Sequence, residues 1–454
     1  MPNLTQLRMA AREIFDEALR GVNAAEAVHR AVRLEGSRLN FCEAATVEIS
    51  ENRDLYAIAI GKAAPAMASA LDVILRNRIT AGALAGNTSG YRLTDRSEPI
   101  NLSACWQIFQ CGHPEPNDQS LAAAKACFDL LERANAERAL VIFLISGGGS
   151  AMLEWPIDES ITLADLRVAH KTLVNCGASI TEINAVRRAF SAVKGGRLAG
   201  RAPHCDQITL IVSDVPPGEE RNVASGPTLA PPGNAPKPHE VIERHDLRSQ
   251  LPEAILHAIE AESVITEDAP TSLRKHFVLL DNHSALEVAA EAAQRRGFIT
   301  EIARDISDQS VEAGCALLLE RLEALQATVS GQDIACLISG GEFACPVRGD
   351  GLGGRNLETA LRLVQARNLL SSGPENFAAL CAGTDGLDGN TPAAGAIVDS
   401  TTIDRGEAIG LDPADFIDRS DAYSFFVALG DVIATGATGT NVRDLRILLG
   451  SGPQ

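Results

Sequence analysis

Short apolar runs recur along the chain, and each one ends in a cluster of small or polar residues. Runs of strand length occupy residues 55–60, 139–145, 208–212, 277–280, 334–338 and 377–382. Because they show no alternation of apolar and polar positions, they predict strands covered on both faces, as in a parallel sheet. Segments with helical spacing lie between them, at residues 120–137, 163–174, 284–296, 311–326 and 356–366. This alternation predicts an α/β fold class with largely parallel sheets covered by helices.

The pentapeptide Leu-Ile-Ser-Gly-Gly occurs twice, at residues 144–148 and 337–341. The repetition has two readings: a common way for a strand to end, or one strand-end loop from each of two domains. Between the copies, residues 225–239 hold five prolines and two glycines, which indicates a long loop or an interdomain connection. Ligands of α/β folds bind outside the carboxyl ends of strands, where the Gly, Ser and Asp clusters of this chain fall.

Charge and cysteine content narrow the classes of function. The 454 residues include 40 basic and 59 acidic side chains, a net charge of −19, which disfavours nucleic acid as a partner. Ten cysteines occur without a Cys-x-x-Cys pair, so we expect a reduced, cytoplasmic protein. The longest apolar run, 139–145, is far shorter than the ~20 residues of a membrane helix, and the N-terminus lacks the features of a signal or transit peptide. We therefore expect a soluble protein with no membrane partner.

Three consecutive glycines follow the apolar run 139–145. The sequence there is Ser146, Gly147, Gly148, Gly149 and Ser150. Glycines in a row leave the backbone bare, so that N–H groups can approach an anion. The alternative reading is a flexible surface loop.

The segment 178–200 carries a polar stripe at helical spacing, opposite an apolar stripe. Its polar members are Asn184, Arg187, Arg188, Ser191 and Lys194. An ordinary surface helix of an acidic protein would mix acids among these cations. The stripe therefore favours a helix facing an anionic site over one facing plain solvent.

A Gly-x-Gly-x-x-Gly pattern opens the helix predicted at 356–366, with glycines at 349, 351 and 354. It is a weak dinucleotide signal, because the preceding segment is a poor strand and no acidic residue stands where ribose recognition would require one. Arg355 directly follows Gly353 and Gly354 at the helix start, a combination that suits a phosphate. The alternative is a solvated helix N-terminus.

Charged residues follow three other apolar runs. Lys62 comes directly after run 55–60, where it could act on an anion or simply extend to solvent at the sheet edge. Asp214, Asp385 and Asp388 lie in Gly-rich loops after strands. Carboxylates in such loops suit Mg²⁺ or the proton of a hydroxyl group, although each alone is commonly a turn former.

Eight motifs occur in the order seen in glycerate 2-kinases of the MOFRL type, which the chain resembles from about residue 8 to about residue 447. Some members of that family carry the name putative hydroxypyruvate reductase. The motifs are IGKAAPAM, GHPEPND, LISGGGSAMLEWP, EINAVRRAFSAVKGGRLA, SDVPPGEE with VASGPT, GLGGRNLE, AGTDGLDGNTPAAGA and DVIATGATGTNVRDL. The chain departs from the family after SDVP, where Glu219 and Glu220 replace the usual aspartates, and this leaves Asp214 as the safer candidate for a metal role.

The resemblance implies a Rossmann-like N-terminal domain at 1–240, a MOFRL-type α/β domain at 241–454 and an active site in the cleft between them. It implies ATP-dependent phosphorylation of D-glycerate at the 2-hydroxyl, with Mg²⁺, in a protein that could be a homo-oligomer. Lys62, Arg355 and Asp214 are the expected catalytic residues, and the three loop aspartates are the tentative Mg²⁺ ligands. The expected substrate- and phosphate-binding residues are Ser146, Gly147, Gly148, Gly149, Ser150, Asn184, Arg187, Arg188, Lys194, Gly353, Gly354, Thr384 and Asp385.

Two other functions remain open at this point. One is a hydroxypyruvate reductase using NAD(P)H, supported by the Gly-x-Gly-x-x-Gly pattern and by the naming of some family members. The other is a sensor that binds sugar acids without catalysis, which would not need paired cations at a transferring phosphoryl group.

Overall fold

All six strand-length runs form strands in the computed structural model, which describes residues 3–87, 102–261, 272–330, 333–369 and 376–452. Within these ranges the strands are β1 (Val32–Glu35), β2 (Arg38–Phe41), β3 (Ala45–Glu48), β4 (Leu55–Ile60), β5 (Ala81–Gly86), β6 (Trp106–Gln110), β7 (Leu140–Ser146), β8 (Asp206–Val212), β9 (Arg274–Leu280), β10 (Ile299–Ile302), β11 (Ile334–Gly341), β12 (Phe377–Gly383), β13 (Gly395–Asp399), β14 (Val432–Ile433) and β15 (Asp444–Ser451).

The five helices predicted from spacing are also present, with ends within two or three residues of the prediction. The helices of the described ranges are α1 (Leu4–Gly21), α2 (Ala24–Ala31), α3 (Ala64–Leu75), α4 (Asp118–Glu137), α5 (Gly149–Met152), α6 (Leu163–Asn175), α7 (Ile180–Ala189), α8 (Arg197–Gly200), α9 (Pro238–Arg244), α10 (Glu253–Glu260), α11 (Asn282–Arg295), α12 (Val311–Gln326), α13 (Arg355–Leu369), α14 (Thr402–Glu407), α15 (Pro413–Asp418) and α16 (Ala422–Leu429), with 3₁₀ turns at Arg76–Arg78 and Glu220–Ser225.

The chain divides into two compact units. The first is Ala24–Leu279, and the second combines Met1–Asn23 with Leu280–Gln454. This division differs from the boundary that we predict at 240/241. Residues 226–237 form a long loop, as expected, but the loop lies inside the first unit and does not connect the two.

The first unit is built on a six-stranded sheet in the order β6-β5-β4-β7-β8-β9. Neighbouring strands from β6 to β8 are parallel. Counted along the chain, this order is 3-2-1-4-5-6, that of doubly wound dinucleotide-binding folds, so the Rossmann-like prediction is confirmed. The strand order reverses between β4 and β7, which is the place where such folds bind their ligands.

Helices cover this sheet because its strands are apolar on both faces. Tyr56, Ile58 and Ile60 of β4 belong to a core shared with α4, while the alternate residues of β4 are equally buried. A second core of the unit joins α6, α7, α9 and α10. Since α9 spans residue 240, α10 follows it and both pack on α6 and α7, the chain beyond 240 remains part of the first unit. A separate antiparallel sheet, β1-β2-β3, completes it.

The second unit contains a mixed sheet in the order β10-β11-β15-β12-β13-β14. β10 and β11 are parallel, and the other neighbours are antiparallel. The predicted largely parallel arrangement therefore does not extend to this sheet, because β15 lies between β11 and β12 and runs against both. One face packs on α1 and α11, and the other packs on α12, α13 and α16. The N-terminal helix α1 thus buries its apolar face in this unit.

Candidate functional site

Three adjacent parallel strands of the first unit bring predicted site residues to one edge of the sheet. Lys62 follows β4, the triple-glycine loop follows β7 and Asp214 follows β8. The carboxyl ends of parallel strands meet at the same edge, so these groups flank the point where strand order reverses. The structure therefore gathers the Lys62, triple-glycine and Asp214 elements, as the sequence analysis predicts.

Each glycine of the triplet is packed closely by a neighbouring loop. A Cβ on Gly147 would overlap the carboxylate of Asp214, and a Cβ on Gly149 would lie 2.7 Å from Cβ of Ala224. Gly148 has a positive φ of 80° and is approached by Lys62 and His113; a Cβ there would lie 3.1 Å from Lys62 Cγ and from His113 Cδ2. The triplet is thus the surface on which three site side chains converge, and the flexible-loop reading does not apply.

Hydrogen bonds fix the Lys62 loop against the triple-glycine loop. The backbone N–H of Lys62 donates to the carbonyl of Gly147 over 2.8 Å. The hydroxyl of Ser146 accepts from the N–H of Ala63 at 3.0 Å and donates to the carbonyl of Ile60 at 3.2 Å. Ser146 is buried, so its hydroxyl acts here as a connector between two strand ends. His113, which was not among the predicted site residues, lies against Gly148 and joins this group.

Polar residues of α7 hold the loop that follows β8. The amide oxygen of Asn184 accepts from the Ser225 hydroxyl at 2.7 Å, and Ser225 Oγ lies 2.7 Å from Ser150 Oγ. Asn184 Nδ2 also donates to the carbonyl of Asn222 at 3.2 Å. This chain of contacts connects α7 to the end of the triple-glycine loop, so Asn184 and Ser150 belong to one network.

Arg188 is occupied by protein groups. Its guanidinium donates to the carbonyl of Arg221 at 2.8 Å, to Asn222 Oδ1 at 2.9 Å and to the carbonyl of Ser225 at 3.3 Å. Burial lowers the pKa of Arg188 to about 10. The contacts give Arg188 a part in shaping the Glu220–Ser225 turn, which differs from the phosphate contact that the polar stripe predicts.

Lys194 lies in a different setting from the one predicted. The helix ends at Ala189, so Lys194 is not on α7; it follows in a turn and is fully buried. Its ammonium pairs with the carboxylate of Glu154, which also accepts from Ser191 Oγ at 2.6 Å and lies 3.2 Å from His170 Nε2. The polar stripe predicted at 178–200 has few acids of its own. The acid that balances Lys194 is Glu154, which is distant in sequence.

Protonation states in this buried group are set by burial and by the ion pair. Although burial opposes its charge, Lys194 and His170 lower the pKa of Glu154 to about 2. Burial lowers the pKa of His170 to about 4, so its ring is neutral at pH 7. Arg187 is also buried, and burial lowers its pKa to about 10.

In the second unit, Arg355 is held by two carboxylates. Its Nε donates to Asp444 Oδ2 at 2.7 Å, and Nη2 lies 2.9 Å from Glu342 Oε1. Although burial opposes the charge, Asp444 and Glu342 raise the pKa of Arg355. About a third of the side chain, 36%, stays exposed. Arg355 is thus a fixed, fully charged cation at the start of α13.

Asp388 caps the start of α13 with both of its carboxylate oxygens. Its two oxygens accept from the N–H groups of Asn356 at 3.1 Å and Leu357 at 2.8 Å, and Oδ1 also accepts from Asn356 Nδ2 at 3.2 Å. Burial is the main reason that its pKa is raised to about 7. The N–H groups of Asn356 and Leu357 are therefore used by Asp388, and phosphate binding by Gly353 and Gly354 stays a prediction.

The glycines of the Gly-x-Gly-x-x-Gly pattern are explained by close packing against protein. A Cβ on Gly349 or Gly351 would lie 2.7 or 2.6 Å from the carbonyl oxygen of Arg419, and one on Gly354 would overlap Asp388. Gly353 donates its N–H to Asn390 Oδ1 at 2.9 Å. The pattern thus serves the packing of this loop, which weakens the dinucleotide reading.

The loop after β12 carries Thr384 and Asp385. Thr384 is buried, donates its hydroxyl to the carbonyl of Arg443 at 2.6 Å and accepts from the N–H of Val442 at 2.9 Å. Asp385 is half-buried, and its Oδ1 accepts from the N–H of Leu387 at 3.1 Å. Thr384 therefore positions the segment that leads into β15.

Three buried charged residues that hold site residues or their surroundings in place were not predicted from the sequence: Asp444, Arg446 and Glu154. Asp444 and the fully buried Arg446 lie on β15, and Arg446 stacks 3.5 Å from the centre of the Phe343 ring. The sequence signal that could have identified Asp444 and Arg446 is the presence of two charged residues in the otherwise apolar segment 444–451. Glu154 lay within a quoted motif, but its partner Lys194 is 40 residues away and no local pattern joins them.

The described residues contain no group of three or more His, Cys, Asp or Glu side chains arranged to hold a metal ion. Mg²⁺ in phosphoryl-transfer sites is commonly bound by one or two carboxylates together with substrate phosphates, so Asp214 and Asp385 still fit such a role. All ten cysteines are unpaired. Among the described residues, no helix is long and apolar enough to cross a membrane.

Two family matches cover most of the chain. Residues 10–260 match the family described as "Domain of unknown function (DUF4147)", and residues 335–444 match the MOFRL family. A protein of Thermotoga maritima named D-glycerate 2-kinase is 34% identical over 86% of this chain and 89% of its own length. A protein of Agrobacterium vitis named putative hydroxypyruvate reductase is 33% identical over 86% of each chain.

The fold is also shared with a solved structure. The crystal structure of a Thermotoga maritima protein titled glycerate kinase is 30% identical to this chain, with a TM-score of 0.76 over 98% of this chain and 99% of that one. Similarity of this extent covers both units, so the two-unit α/β architecture is common to the two proteins.

Proposed function

This chain belongs to the family that combines the DUF4147 and MOFRL domains, and we propose that it is a glycerate 2-kinase. The reaction transfers the γ-phosphoryl group of ATP to the 2-hydroxyl of D-glycerate. The observation that carries the proposal is the convergence of Lys62, the triple-glycine loop and Asp214 at the point of strand-order reversal. The kinase names of relatives that match most of the chain support it.

Charge neutralisation and positioning are the main demands of phosphoryl transfer. Lys62, fixed through its backbone to Gly147, is suited to neutralise charge on the moving phosphoryl group. Arg355 presents a planar guanidinium that is already oriented by Asp444 and Glu342. Gly147 and Gly148, which have no side chains, let Asp214 and Lys62 pack against one loop, where a phosphate or carboxylate would bind.

Asp214 has two possible tasks. It would accept the proton of the attacking hydroxyl group, or it would hold Mg²⁺ with the nucleotide phosphates; Asp385 is the second candidate for the metal. When bound, Mg²⁺ neutralises phosphate charge and orients the phosphates. Asp388 is left out of the metal set because both of its oxygens cap α13.

ATP and D-glycerate are the partners that we propose, in a cytoplasmic protein whose ten cysteines stay reduced. Assembly into a homo-oligomer stays a prediction. Two relatives carry the name putative hydroxypyruvate reductase, which makes reduction of hydroxypyruvate the second candidate function. The packing of Gly349, Gly351 and Gly354 against protein weighs against it.

The test is a pair of assays on the purified protein. One supplies D-glycerate and Mg-ATP and follows ADP; the other supplies hydroxypyruvate and NADH and follows nicotinamide absorbance. We expect ADP in the first and no change in the second. Phosphorus NMR of the product decides regiochemistry, with 2-phosphoglycerate expected. NADH oxidation without ADP would favour the reductase, and binding of D-glycerate with neither reaction would favour the sensor.

A further inference from the structure

Arg187 lies in a buried cluster whose charges do not cancel. The cluster consists of Glu154, His170, Arg187 and Lys194, with exposed fractions of 0, 1, 7 and 0%. Glu154 and Lys194 form an ion pair, so their charges offset each other. His170 is neutral at pH 7 because burial lowers its pKa to about 4. One positive charge, that of Arg187, is left.

No protein group takes up this charge by direct contact. Among the residues that the structure describes, Arg187 makes neither a side-chain hydrogen bond nor an ion pair, and its Nε is buried without a partner. The adjacent Arg188 differs, since three oxygen atoms accept its hydrogen bonds. A buried charge without a hydrogen-bonded partner destabilises a fold, so Arg187 is a candidate to bind an anionic ligand.

Two members of the cluster lie close along the chain to residues of the triple-glycine network. Asn184 precedes Arg187 by one helical turn on the same face of α7, and it reaches Ser150 through the hydroxyl of Ser225. Glu154 lies four residues after Ser150 along the chain. A ligand bound by Arg187 would therefore lie beside the loop to which we assign substrate binding.

We propose that Arg187 is the receptor for the carboxylate of the substrate, an inference that rests on the proposed glycerate kinase function. A guanidinium donates two parallel hydrogen bonds to a carboxylate. One uncompensated positive charge matches a small monoanion, whereas the triphosphate of ATP carries several charges and requires several cations. Lys194 does not contribute, because Glu154 already balances it.

The test compares two ligands of nearly equal shape in the absence of nucleotide. D-glycerate carries the carboxylate, and glyceramide is its neutral amide. Binding to the wild-type protein, measured by calorimetry and by thermal shift, should favour D-glycerate by about 10- to 100-fold, the scale of hydrogen bonds to charged groups. Equal affinity for the two ligands overturns the proposal, whatever any variant shows.

Arg187→Met removes the charge and keeps much of the volume. We expect this variant to lose the preference for D-glycerate and to melt no lower than wild type, because it removes an uncompensated buried charge. Arg367→Met is the matched control: Arg367 is also buried, at 6%, but it pairs with Glu323 in the other unit. It should keep the preference. Arg187→Lys restores a point charge and should recover part of the preference for D-glycerate. It replaces Arg187→Met in the comparison if the methionine variant does not fold.

Kinetics separate the possible results. In Arg187→Met, a rise in KM for D-glycerate with little change in KM for ATP supports the proposal. A rise in KM for ATP alone overturns it and assigns Arg187 to a phosphate. If wild type prefers D-glycerate over glyceramide but forms no ADP, the carboxylate receptor stands and the kinase function fails.

Discussion

Lys62 and Arg355 are cations that the fold holds in different ways. Lys62 is fixed through its backbone N–H, which donates to the carbonyl of Gly147. Arg355 is fixed through its guanidinium by Asp444 and Glu342. Preoriented cations stabilise a transition state more than a ground state, because they need no reorganisation when charge moves.

Substitution of either cation should therefore act on kcat. We expect Lys62→Ala and Arg355→Ala each to lower kcat by about 10²-fold or more, with much smaller changes in KM. Arg355→Lys should rescue poorly, since an ammonium cannot span Asp444 and Glu342 as a planar fork does. Steady-state kinetics measure these effects, and circular dichroism checks the fold.

Two controls accompany these variants. Lys125 is exposed on α4, and Lys125→Ala should leave kcat unchanged. Arg296 lies outside every motif, so Arg296→Ala should also keep kcat. It pairs with Glu13 and Glu17, which ties α11 to α1, so a small loss of stability, up to about 1 kcal/mol, is expected. Folded alanine variants of Lys62 and Arg355 with near-wild-type kcat would refute the proposed mechanism.

The buried Glu154 and His170 predict a loss of stability in acid. The pKa of His170 is lowered to about 4 in the fold from 6.5, so the unfolded chain binds its proton first and stability falls between pH 6.5 and 4, by about 3 kcal/mol. The pKa of Glu154 is lowered to about 2 from 4.5, so its contribution is present above pH 4.5 and is lost as pH falls toward 2. Urea denaturation at pH 7, 5.5 and 4 measures the first step.

A histidine variant isolates that step. His170→Gln should show a flatter dependence between pH 6.5 and 4 than wild type. His257→Gln, at a histidine whose side chain is 69% exposed, should keep the wild-type dependence. A free energy of unfolding that stays constant across this window in wild type would contradict a neutral, buried His170.

At the scale of elements, the triple-glycine loop provides a steric test. Gly147 has no positive φ, so alanine suits its backbone, but the added Cβ would overlap the Asp214 carboxylate. Gly147→Ala should therefore displace Asp214 and lower kcat by about 10²-fold, the scale of a misplaced catalytic group. Gly233→Ala is the control, because nothing lies within 4 Å of a Cβ there. Equal kcat for the two variants would show that Asp214 needs no close approach to this loop.

The sequence predicted the first sheet better than the second, for a physical reason. Strands of the first sheet are buried on both faces and read as apolar runs, so β4 and β7 were placed to within one residue. β15 contains Asp444 and Arg446, whose charges break the apolar run although the strand is fully buried. Arg446 lies 3.8 Å from Asp444 on the same strand, but Asp444 also pairs with Arg355, which is 89 residues away and which no local pattern reveals.

Site residues divide in the same way. Some site residues stand next to strand or helix ends: Lys62, Gly147, Asp214 and Arg355. The local pattern of apolar runs followed by small or polar residues was sufficient to select them. Lys194 was misplaced because the helical spacing was continued past Ala189, where the helix ends. The ion pair of Lys194 with Glu154 depends on tertiary packing alone, so local spacing could not predict it.

For the whole molecule, the limits of the two units differ from those that composition suggested. A proline-rich segment marks a loop but not a boundary, since the chain returns to the same core after residue 240. That core includes six large apolar side chains beyond the predicted boundary: Val241, Ile242, Leu247, Leu251, Ile255 and Ile259. Each contributes about 1.5–3 kcal/mol when buried, which together is comparable to the 5–15 kcal/mol stability of a typical domain.

This comparison predicts which fragment folds alone. Fragment 24–279 should unfold in one cooperative thermal transition. Fragment 1–240 should not, because it lacks those six side chains and leaves the apolar face of α1 without α11 and β12. Fragment 24–240 separates the two causes: it omits α1, so failure to fold there reflects the lost core alone. Circular dichroism melts and size-exclusion chromatography measure the outcome. A cooperative transition in 1–240 as high as that in 24–279 would place the boundary near residue 240 after all.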